Sequence, residues 1–468
     1  MARSPARILI VGAGPAGLRA AEMLAEAGLS PILVDEAPRV GGQIYRQPPR
    51  VPGFMRTAAE LYGAAADRAR DLFVTFDRIR NRIDYRPGSL VYDLIDNRAI
   101  VARDGKSAEI AFDALILATG AMDRIAPAPG WTLPGVYTLG GAQIALKHQG
   151  CAIGQRVAFV GTGPLLLLAA HQYAKVGAVP VAVVVPSHFR SFAAAALRLI
   201  GMPRELSLGV YWLLDLKRRG VPVLFSHRLS EVVGDESVRA IRVRARGEQR
   251  EITCDAVAIG YGLQSETQLA DLAGIKFAFD AARRQWLPET DPLGRAIGRK
   301  DVYLAGDGVG MLGADAAEAR GRLAAHALMT DLDVSHVTYR PKKDLDAVDH
   351  AEHLQLAMRA AFELPDDFFA ALSDETLICR CEQVLAGELR GIAGLMGARE
   401  LNRAKSYSRV GMGRCQGRLC GHAAAEILAD KLGVTLDSVG RMRGQPPIKP
   451  VSVATVAERK PTVAERRP

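Results

Sequence analysis

Residues 8–17 read Ile-Leu-Ile-Val-Gly-Ala-Gly-Pro-Ala-Gly, an apolar run that opens into a Gly-x-Gly-x-x-Gly pattern. The run predicts a buried parallel strand, and the residues from Pro15 onward predict a helix that begins at the glycine turn. Here Gly12 permits the tight turn, Gly14 lets the backbone approach a pyrophosphate, and Gly17 lets the helix pack closely on the strand. The helix N-terminus offers unpaired N–H groups to that anion. The predicted dinucleotide-binding residues of this loop are Gly12, Gly14, Pro15, Ala16 and Gly17.

A second apolar segment, Pro31–Val34, follows the helix and ends in Asp35 and Glu36. Strand, helix and second strand form a βαβ unit, in which an acid about twenty residues after the glycines accepts hydrogen bonds from ribose hydroxyls. We predict this role for Asp35, with Glu36 as the second choice. Because the whole pattern is present, dinucleotide binding is favoured over an ordinary tight turn.

Length and composition limit the classes of protein to consider. The 468 residues predict two to four domains, and 49% of them are hydrophobic, enough for each domain to bury a core. The net charge of +9 comes from dispersed residues and indicates a solvated surface, and aromatic residues at 6% argue against a base-stacking surface for nucleic acid. No stretch of about 18 uninterrupted apolar residues occurs, so we expect no membrane span.

The rest of the chain gives coarser signals. Arg56–Asp71 looks helical, and Phe73–Ala111 alternates apolar and polar residues, which predicts short antiparallel strands. Phe189–Lys217 looks largely helical and predicts an insertion. The tail from Gly444 is rich in Pro, Lys and Arg, which predicts either disorder or an arm laid on a partner.

A second βαβ unit begins at Arg156 and carries Gly161-Thr162-Gly163-Pro164-Leu165-Leu166. Leu166 replaces the third glycine, and the next strand ends in Val185-Pro186-Ser187, without a ribose-binding acid or a phosphate-binding Arg. We therefore expect a degenerate nucleotide-binding unit that is structural rather than nicotinamide-binding. A plain adenine nucleotide remains an option.

Four cysteines cluster in the last quarter of the chain, as Cys379-x-Cys381 and Cys415-x4-Cys420. Four thiolates suit zinc or an iron–sulfur cluster, and Cys-x-Cys is an unusual spacing for zinc. Cys151 and Cys254 stand apart without a Cys-x-x-Cys pair, which argues against disulfide-reductase chemistry. Clustered thiols without an export signal predict a cytoplasmic protein; association with the inner face of the membrane stays open.

Three further segments resemble flavoproteins that contain two dinucleotide-binding domains. They are Gly41-Gly42-Gln43, Ala118-Thr119-Gly120, and Val302-Tyr303-Leu304-Ala305-Gly306-Asp307. The resemblance implies FAD rather than NAD and adds Gly42, Gln43, Thr119, Gly120, Gly306 and Asp307 to the predicted cofactor residues. Taken alone, Gly306-Asp307 is equally a common turn with a helix-capping Asp.

The cysteine segment resembles the [2Fe–2S] domain of bacterioferritin-associated ferredoxin. The matching stretches are Cys379-Arg380-Cys381-Glu382 and Gly411-Met412-Gly413-Arg414-Cys415-Gln416-Gly417-Arg418-Leu419-Cys420. The resemblance implies that Cys379, Cys381, Cys415 and Cys420 bind a [2Fe–2S] cluster. Zinc is the second interpretation and four unligated thiols the third.

Nearly the whole chain resembles the α (FAD/[2Fe–2S]) subunits of bacterial heteromeric flavin dehydrogenases. This group includes the A subunits of opine, octopine and nopaline oxidases, the flavoprotein (B-type) component of hydrogen cyanide synthase, and the α subunits of dye-linked proline and D-hydroxyproline dehydrogenases. Besides the motifs above, two further stretches resemble the sequences of this group. They are Trp131-Thr132-Leu133-Pro134-Gly135-Val136 and Pro446-Pro447-Ile448-Lys449-Pro450-Val451.

The resemblance implies an electron-transfer subunit whose substrate, a compound with a CH–NH or CH–NH2 group, is oxidised on a D-amino-acid-oxidase-like FAD subunit (β). A small ferredoxin-like subunit (γ), an FMN between subunits, and peripheral contact with an electron-transport chain are further expectations. The alternatives are a stand-alone NAD(P)H-dependent flavoprotein reductase and a non-catalytic nucleotide-binding assembly subunit. The catalytic residues, the substrate and the electron acceptor cannot be named from the sequence.

The predicted fold class is α/β, with two Rossmann-like domains of the pyridine-nucleotide-disulphide-reductase type and a small helical [2Fe–2S] domain at the C-terminus. The predicted domains are an FAD-binding domain (1–125 and 285–335), a degenerate nucleotide-binding domain (126–284), a helical linker (336–375), the [2Fe–2S] domain (376–440) and a Pro-rich basic tail (441–468).

Overall fold

The computed structural model describes residues 6–49, 56–198, 201–334, 338–362 and 368–457, and for residues 195–198 it describes the backbone alone. The strands are β1 (Ile8–Val11), β2 (Ile32–Val34), β3 (Asp84–Arg86), β4 (Leu90–Ile95), β5 (Arg98–Arg103), β6 (Lys106–Ala111), β7 (Ala114–Leu117), β8 (Ala121–Asp123), β9 (Val136–Thr138), β10 (Val157–Thr162), β11 (Ala182–Val185), β12 (Val223–Phe225), β13 (Arg228–Gly234), β14 (Val238–Ala245), β15 (Glu248–Thr253), β16 (Ala256–Tyr261), β17 (Leu263–Ser265), β18 (Phe277–Asp280), β19 (Gln285–Pro288), β20 (Val302–Leu304), β21 (Leu377–Cys379) and β22 (Val384–Leu385).

The helices are α1 (Pro15–Glu26), α2 (Ala58–Tyr62), α3 (Ala66–Ile79), α4 (Leu139–Ile144), α5 (Pro164–Lys175), α6 (Phe189–Arg198), α7 (Pro203–Arg218), α8 (Gln268–Leu272), α9 (Ala314–Asp331), α10 (Lys342–Ala361), α11 (Ala386–Leu395), α12 (Leu401–Ser408), α13 (Gly421–Leu432) and α14 (Val453–Ala457). Short 3-10 turns lie at Gly63–Ala65 and Gly306–Val309, and a π-helical turn lies at Ala145–Gln149.

The first parallel sheet has the strand order β20-β7-β1-β2-β3. Leu9 of β1 pairs with Ile32 of β2 on one side and with Leu115 of β7 on the other. The central strands are continuous apolar runs because both faces of this sheet are covered, one by α1, α3 and α9 and the other by β4–β6 and α8. The carboxyl ends of β1, β2, β7 and β20 meet at one edge, where an α/β sheet of this kind binds its ligand.

Helices α1 and α9 pack tightly over this sheet. A Cβ atom at Gly321 of α9 would lie 2.1 Å from the carbonyl oxygen of Ala16, so only glycine allows this approach. The contact joins residues that are distant in sequence and holds the segment after β20 against the first glycine loop.

The second parallel sheet has the order β12-β11-β10-β16-β9, and three-stranded antiparallel sheets, β4-β5-β6 and β13-β14-β15, accompany the two parallel sheets. Both βαβ units are therefore present, as the sequence predicts. One hydrophobic cluster runs without interruption from Val160 and Val257 of the second sheet to Ile378, Cys420 and Ile427 of the C-terminal module. The module is thus packed onto the rest of the chain.

Two sequence expectations about secondary structure are wrong in part. The sequence pattern predicts strands from Phe73, yet α3 continues to Ile79, because Leu72, Thr75 and Ile79 lie on one buried helical face. The helix predicted over 56–71 is interrupted by the 3-10 turn at Gly63–Ala65. The predicted helical insertion consists of two helices, α6 and α7.

The tail, for which the composition predicts disorder or contact with a partner, packs on its own chain as far as residue 457. Ile448 is 3% exposed, and its N–H donates to the Tyr92 carbonyl at 3.0 Å. The Thr455 hydroxyl donates to the Gly105 carbonyl at 3.0 Å. Residues 458–468 lie outside the described residues, and the predicted domain boundaries stay predictions.

Candidate functional site

The glycine loop after β1 has the close contacts that its residue types allow. Gly12 has φ +108°, and a Cβ atom there would lie 2.3 Å from the Ala118 carbonyl oxygen. A Cβ at Gly17 would lie 1.8 Å from the Gly12 oxygen. At Gly14 the nearest atom to such a Cβ is Gly42 Cα at 3.6 Å, an ordinary contact. Gly12 and Gly17 are therefore needed by the fold, whereas Gly14 keeps the ligand side of the loop free.

The two acids at the end of β2 have different partners. Asp35 accepts from the backbone N–H of Ala13 at 2.5 Å and of Ala37 at 2.7 Å, and its burial raises the pKa of the carboxyl group. Glu36 pairs with Lys449 Nζ at 2.5 Å. Asp35 thus braces the glycine loop, while Glu36 presents a partly exposed carboxylate at the same sheet edge.

The segments after β7 and β20 lie at the same carboxyl edge of the first sheet. The Thr119 hydroxyl donates to the Glu266 carbonyl at 2.7 Å, and the Glu266 N–H donates to the Gly120 carbonyl at 2.9 Å. Asp307 Oδ1 accepts from the N–H groups of Leu312 at 2.9 Å and Gly313 at 3.1 Å, and burial raises the pKa of Asp307. Asp307 therefore holds the turn ahead of α9 while its side chain borders the ligand space.

These segments enclose one cavity of about 480 Å³, within the usual range for cofactor sites. The predicted dinucleotide residues that line it are Gly12, Gly14, Pro15, Ala16, Asp35, Glu36, Gly42, Gln43, Thr119, Gly120, Gly306 and Asp307. Gly17 lies behind the loop, against Gly12. The tertiary structure thus gathers segments that are up to 295 residues apart, from Gly12 to Asp307.

One end of the cavity is formed by residues that the sequence analysis missed. Asp123, at the end of β8, accepts from the Gly140 N–H with both oxygens at 3.1 Å. Burial raises the pKa of Asp123, which also lies beside Thr138. Met122, Gln143 and Ile144 line the same end. Asp123 follows the Thr119-Gly120 signature closely, and that position is the signal that could have found it.

Another part of the cavity wall comes from the C-terminal part of the chain. Arg418, Ile448 and Lys449 line the cavity together with Glu36 and Ser89. The tail therefore covers the β2 end of the first sheet, a position that no local pattern in the sequence predicts.

The four clustered cysteines come together in the C-terminal module. Cys379 ends β21, Cys381 follows in the turn before β22, and Cys420 directly precedes α13. A Cβ atom at Gly413 would lie 2.1 Å from Cys381 Cβ, so glycine is what lets the second cysteine loop approach the first.

The sulfur atoms interact with one another and with backbone N–H groups. A hydrogen bond from Cys420 lowers the pKa of Cys379 to about 6 and that of Cys415 to about 5, and backbone N–H groups add to both effects. The pKa of Cys420, which donates both hydrogen bonds, is strongly raised. Burial raises the pKa of Cys381. Cys379 and Cys415 thus favour the thiolate, the form in which cysteine binds an iron–sulfur cluster. The donor set therefore fits that group.

The agreement with a cluster is one of donor type and not of position, because among the described residues no set of three or more His, Cys, Asp or Glu side chains is arranged to hold a metal ion.

Further residues around the four sulfurs were missed from sequence. Buried Lys405 faces Cys420, and burial lowers the pKa of this lysine. Met442 Sδ would be 2.4 Å from a Cβ at Gly411 and 2.6 Å from one at Gly417, so it packs on the glycines of the cysteine loop.

The second glycine loop differs from the first in its surroundings. Leu166 is completely buried in the core beside β10, and a Cβ at Gly161 would lie 1.7 Å from the Gly260 oxygen. Phe192 of α6 lies beside Phe225 and Phe362, and the space next to Pro164 is a cavity of only about 40 Å³. The second glycine loop thus keeps its tight turn, but its third glycine is replaced by a buried leucine.

Within the part of the chain that is described, no helix has the length and apolar character needed to cross a membrane.

Comparison with known proteins agrees with this description. Residues 6–330 match the family model described as pyridine nucleotide-disulphide oxidoreductase, and residues 392–459 match the sarcosine oxidase A3 domain. The chain is 36% identical to the A subunit of opine oxidase from Agrobacterium tumefaciens (strain Ach5) over 96% of this chain and 91% of that protein. It is 29% identical to the HcnB subunit of hydrogen cyanide synthase from Pseudomonas aeruginosa over 95% of this chain and 97% of that protein.

Among solved structures, L-proline dehydrogenase from P. horikoshii shares the fold, with a TM-score of 0.69 at 20% identity, over 97% of this chain and 79% of that one. The fold and its cavity are those of an FAD-binding flavoprotein oxidoreductase. The chain belongs to the pyridine nucleotide-disulphide oxidoreductase family, as a homologue of opine oxidase A subunits. Its relatives are named as subunits of opine oxidase, hydrogen cyanide synthase and sarcosine oxidase, and the chain is accordingly an oxidoreductase subunit. The predicted family and fold class are confirmed.

Proposed function

We propose that this chain is the electron-transfer subunit of a heteromeric dehydrogenase that oxidises amino acids or opines. FAD occupies the cavity of the first sheet, and Cys379, Cys381, Cys415 and Cys420 hold a [2Fe–2S] cluster. Flavin exchanges electrons in pairs or singly and the cluster exchanges them singly, so the two groups together suit a relay. The chain's own task is to hold the groups near each other and to exclude water from them.

The observation that carries this proposal is a single segment that contacts both sites. Gln264 Nε2 donates to the Arg418 carbonyl at 3.0 Å, and Gln268 Nε2 donates to the Gln416 carbonyl at 2.7 Å. Between these glutamines, Glu266 is hydrogen bonded to Thr119 and Gly120 in the cavity wall. The cysteine loop is therefore fixed against the wall of the dinucleotide cavity.

Substrate oxidation belongs, in this proposal, to a partner. A D-amino-acid-oxidase-like flavin subunit (β) removes a hydride from the carbon and a proton from the nitrogen of a C–N bond, and water hydrolyses the resulting imine. An FMN at the interface between subunits and a small ferredoxin-like subunit (γ) complete the predicted assembly. The names of the relatives support the oxidation of opines or related amines, because they denote subunits of such oxidases.

The test is anaerobic reduction of the natively purified complex. Proteins that co-purify with the chain are first identified by mass spectrometry, and the complex is then mixed with an opine, proline or glycine. We expect this chain's flavin and cluster absorbance to bleach within one turnover. Bleaching confined to the partner's flavin would overturn the relay and favour the non-catalytic assembly role.

The competing function is a stand-alone NAD(P)H-dependent reductase. Buried Leu166 in place of the third glycine and the absence of a ribose-binding acid after β11 argue against it. Mixing the anaerobic chain with NADH discriminates the two. Rapid bleaching of the flavin by NADH would support the reductase, whereas the relay predicts no such reaction.

Location and cofactor identity are separate parts of the proposal. We place the protein in the cytoplasm, with peripheral contact to an electron-transport chain at the inner membrane face. Cell fractionation tests the location.

Elemental analysis tests the identity of the metal group bound by the four cysteines. About two iron atoms per chain are expected for a [2Fe–2S] cluster, and one zinc without iron would refute the cluster.

A further inference from the structure

Arg418 occupies an unusual position between the two cofactor regions. It lies in the loop between Cys415 and Cys420, yet its side chain forms part of the wall of the dinucleotide cavity. The side chain is 9% exposed and its acidic partner Glu266 is 12% exposed. A guanidinium buried to this degree needs a partner for each of its donors.

Two of the three guanidinium nitrogens have such partners. Nε donates to Glu266 Oε2 at 2.6 Å, and Nη1 donates to the Ile448 carbonyl. These bonds fix the plane of the group from two sides, one from the segment after β17 and one from the C-terminal tail. The fork is therefore rigid before any ligand enters.

The third guanidinium nitrogen of Arg418, Nη2, differs from the other two. Arg418 Nη2 is buried and has no hydrogen-bond partner among the described residues. A buried donor without an acceptor destabilises the folded chain, and more so when the donor is charged. Arg418 borders the cavity, so a molecule bound there is the nearest source of an acceptor for this nitrogen.

The neighbours of Arg418 indicate which half of a dinucleotide it meets. Ile448, which accepts from Nη1, is adjacent to Lys449, and Lys449 is paired with Glu36 at the end of β2. That strand end is where the ribose of the adenosine half binds in this type of fold. Asp123 and Gln143, on β8 and α4, line other parts of the same cavity.

We propose that Arg418 is a dinucleotide-binding residue supplied by the cysteine loop, and that Nη2 donates to an acceptor atom of the adenosine-diphosphate half of the bound cofactor. The inference rests on the proposed function, in which FAD occupies the cavity. The loop that carries two cluster ligands thus also contributes to holding the flavin.

The test measures binding to the full chain after removal of its flavin under anaerobic conditions. The probes are FAD, ADP and FMN, and binding is followed by flavin fluorescence or calorimetry. Arg418→Gln removes Nη2, whereas Arg418→Lys keeps a charge for Glu266 and lacks the fork. Arg414→Gln is the matched control, because Arg414 is an exposed residue of the same cysteine segment.

We expect Arg418→Gln to raise the dissociation constants of FAD and ADP by roughly tenfold or more and to leave that of FMN unchanged. Arg414→Gln should bind all three probes as the parent does. If Arg418→Gln fails to fold, the dissociation constants of FAD, ADP and FMN are measured for Arg418→Lys instead. The melting temperature of Arg418→Lys without ligand shows whether that variant is folded. Equal FAD affinity in parent and variant overturns the inference, and an equal loss for FMN overturns the assignment to the adenosine half. A parent chain that binds neither FAD nor ADP refutes the proposed function instead.

Discussion

Arg441 and Asp271 form a two-point ion pair between the C-terminal module and helix α8. Nη1 and Nη2 of Arg441 each lie 2.7 Å from one carboxylate oxygen of Asp271, and the guanidinium stacks on Phe277 with its carbon 3.9 Å from the ring centre. Asp271 also accepts from the Gly444 N–H at 2.5 Å. The start of the tail is thereby fixed to α8, just before it reaches the cavity at Ile448.

The first prediction concerns this pair. Arg441→Lys keeps the charge and loses the second hydrogen bond and the stacking, so the free energy of local opening of residues 441–449 should fall by about 1–2 kcal/mol. Hydrogen exchange of the Ile448 amide measures it. Arg443→Lys, at an exposed neighbouring position, should leave this exchange unchanged. Unchanged protection in Arg441→Lys would mean that packing alone holds the tail.

The second prediction separates two glycines of the first loop. Gly14→Ala places a methyl group on the ligand side of the loop, so FAD affinity should fall by about tenfold while the melting temperature without ligand stays unchanged. Gly17→Ala places its methyl 1.8 Å from the Gly12 oxygen and should destabilise the fold by about 1–3 kcal/mol or more. Flavin titration and thermal melting of both variants decide. The reverse pattern would contradict the assigned roles.

The third prediction concerns the cysteines. Cys415→Ser should remove the visible cluster spectrum and most of the bound iron while FAD remains bound, because the flavin cavity lies outside the cysteine set. Absorbance and iron analysis measure both cofactors. Cys151→Ser, at an exposed cysteine in another part of the chain, serves as the control and should keep the cluster. A full iron content in Cys415→Ser would exclude this residue as a ligand.

The fourth prediction is a pH dependence of stability. Asp344 accepts from Arg322 Nε at 2.9 Å and Nη2 at 2.6 Å, and also from the Tyr339 hydroxyl. Burial raises the pKa of Asp344, but these hydrogen bonds lower it more, so the folded pKa lies below the usual 3.8. Because the folded pKa is the lower one, the stabilisation is complete above about pH 5 and is lost as the pH falls through the folded value.

Asp344→Asn should therefore cost about 2–4 kcal/mol of unfolding free energy at pH 7, and the difference from the parent should shrink below about pH 4. Tyr339→Phe removes one hydrogen bond and keeps the ion pair, so it should cost about 1 kcal/mol. Denaturant unfolding at several pH values measures both. A cost for Asp344→Asn that is the same in acid as at neutral pH would show that the carboxylate charge contributes nothing.

Elements defined by neighbouring residues could be predicted from the sequence, and elements defined by distant partners could not. The strand, turn and helix around Gly12 and Gly14 were predictable because their pattern is local and each glycine has a steric reason. The length of α3 was not, because Phe73, Val74 and Phe76 resemble an alternating strand until the partners that bury Leu72 and Ile79 are known. The path of the tail was missed for a similar reason, since composition does not reveal that Ile448 has a place in the core.

The sequence by itself determined the family, the two βαβ units and the set of four cysteines, because these depend on short spacings between residues of special chemistry. Only the tertiary structure decided that Asp35 braces the glycine loop while Glu36 pairs with Lys449, and that Arg418 reaches the dinucleotide cavity. Those relationships join residues up to 413 positions apart, which lie together only because parallel strands end at one edge and the C-terminal module packs against them.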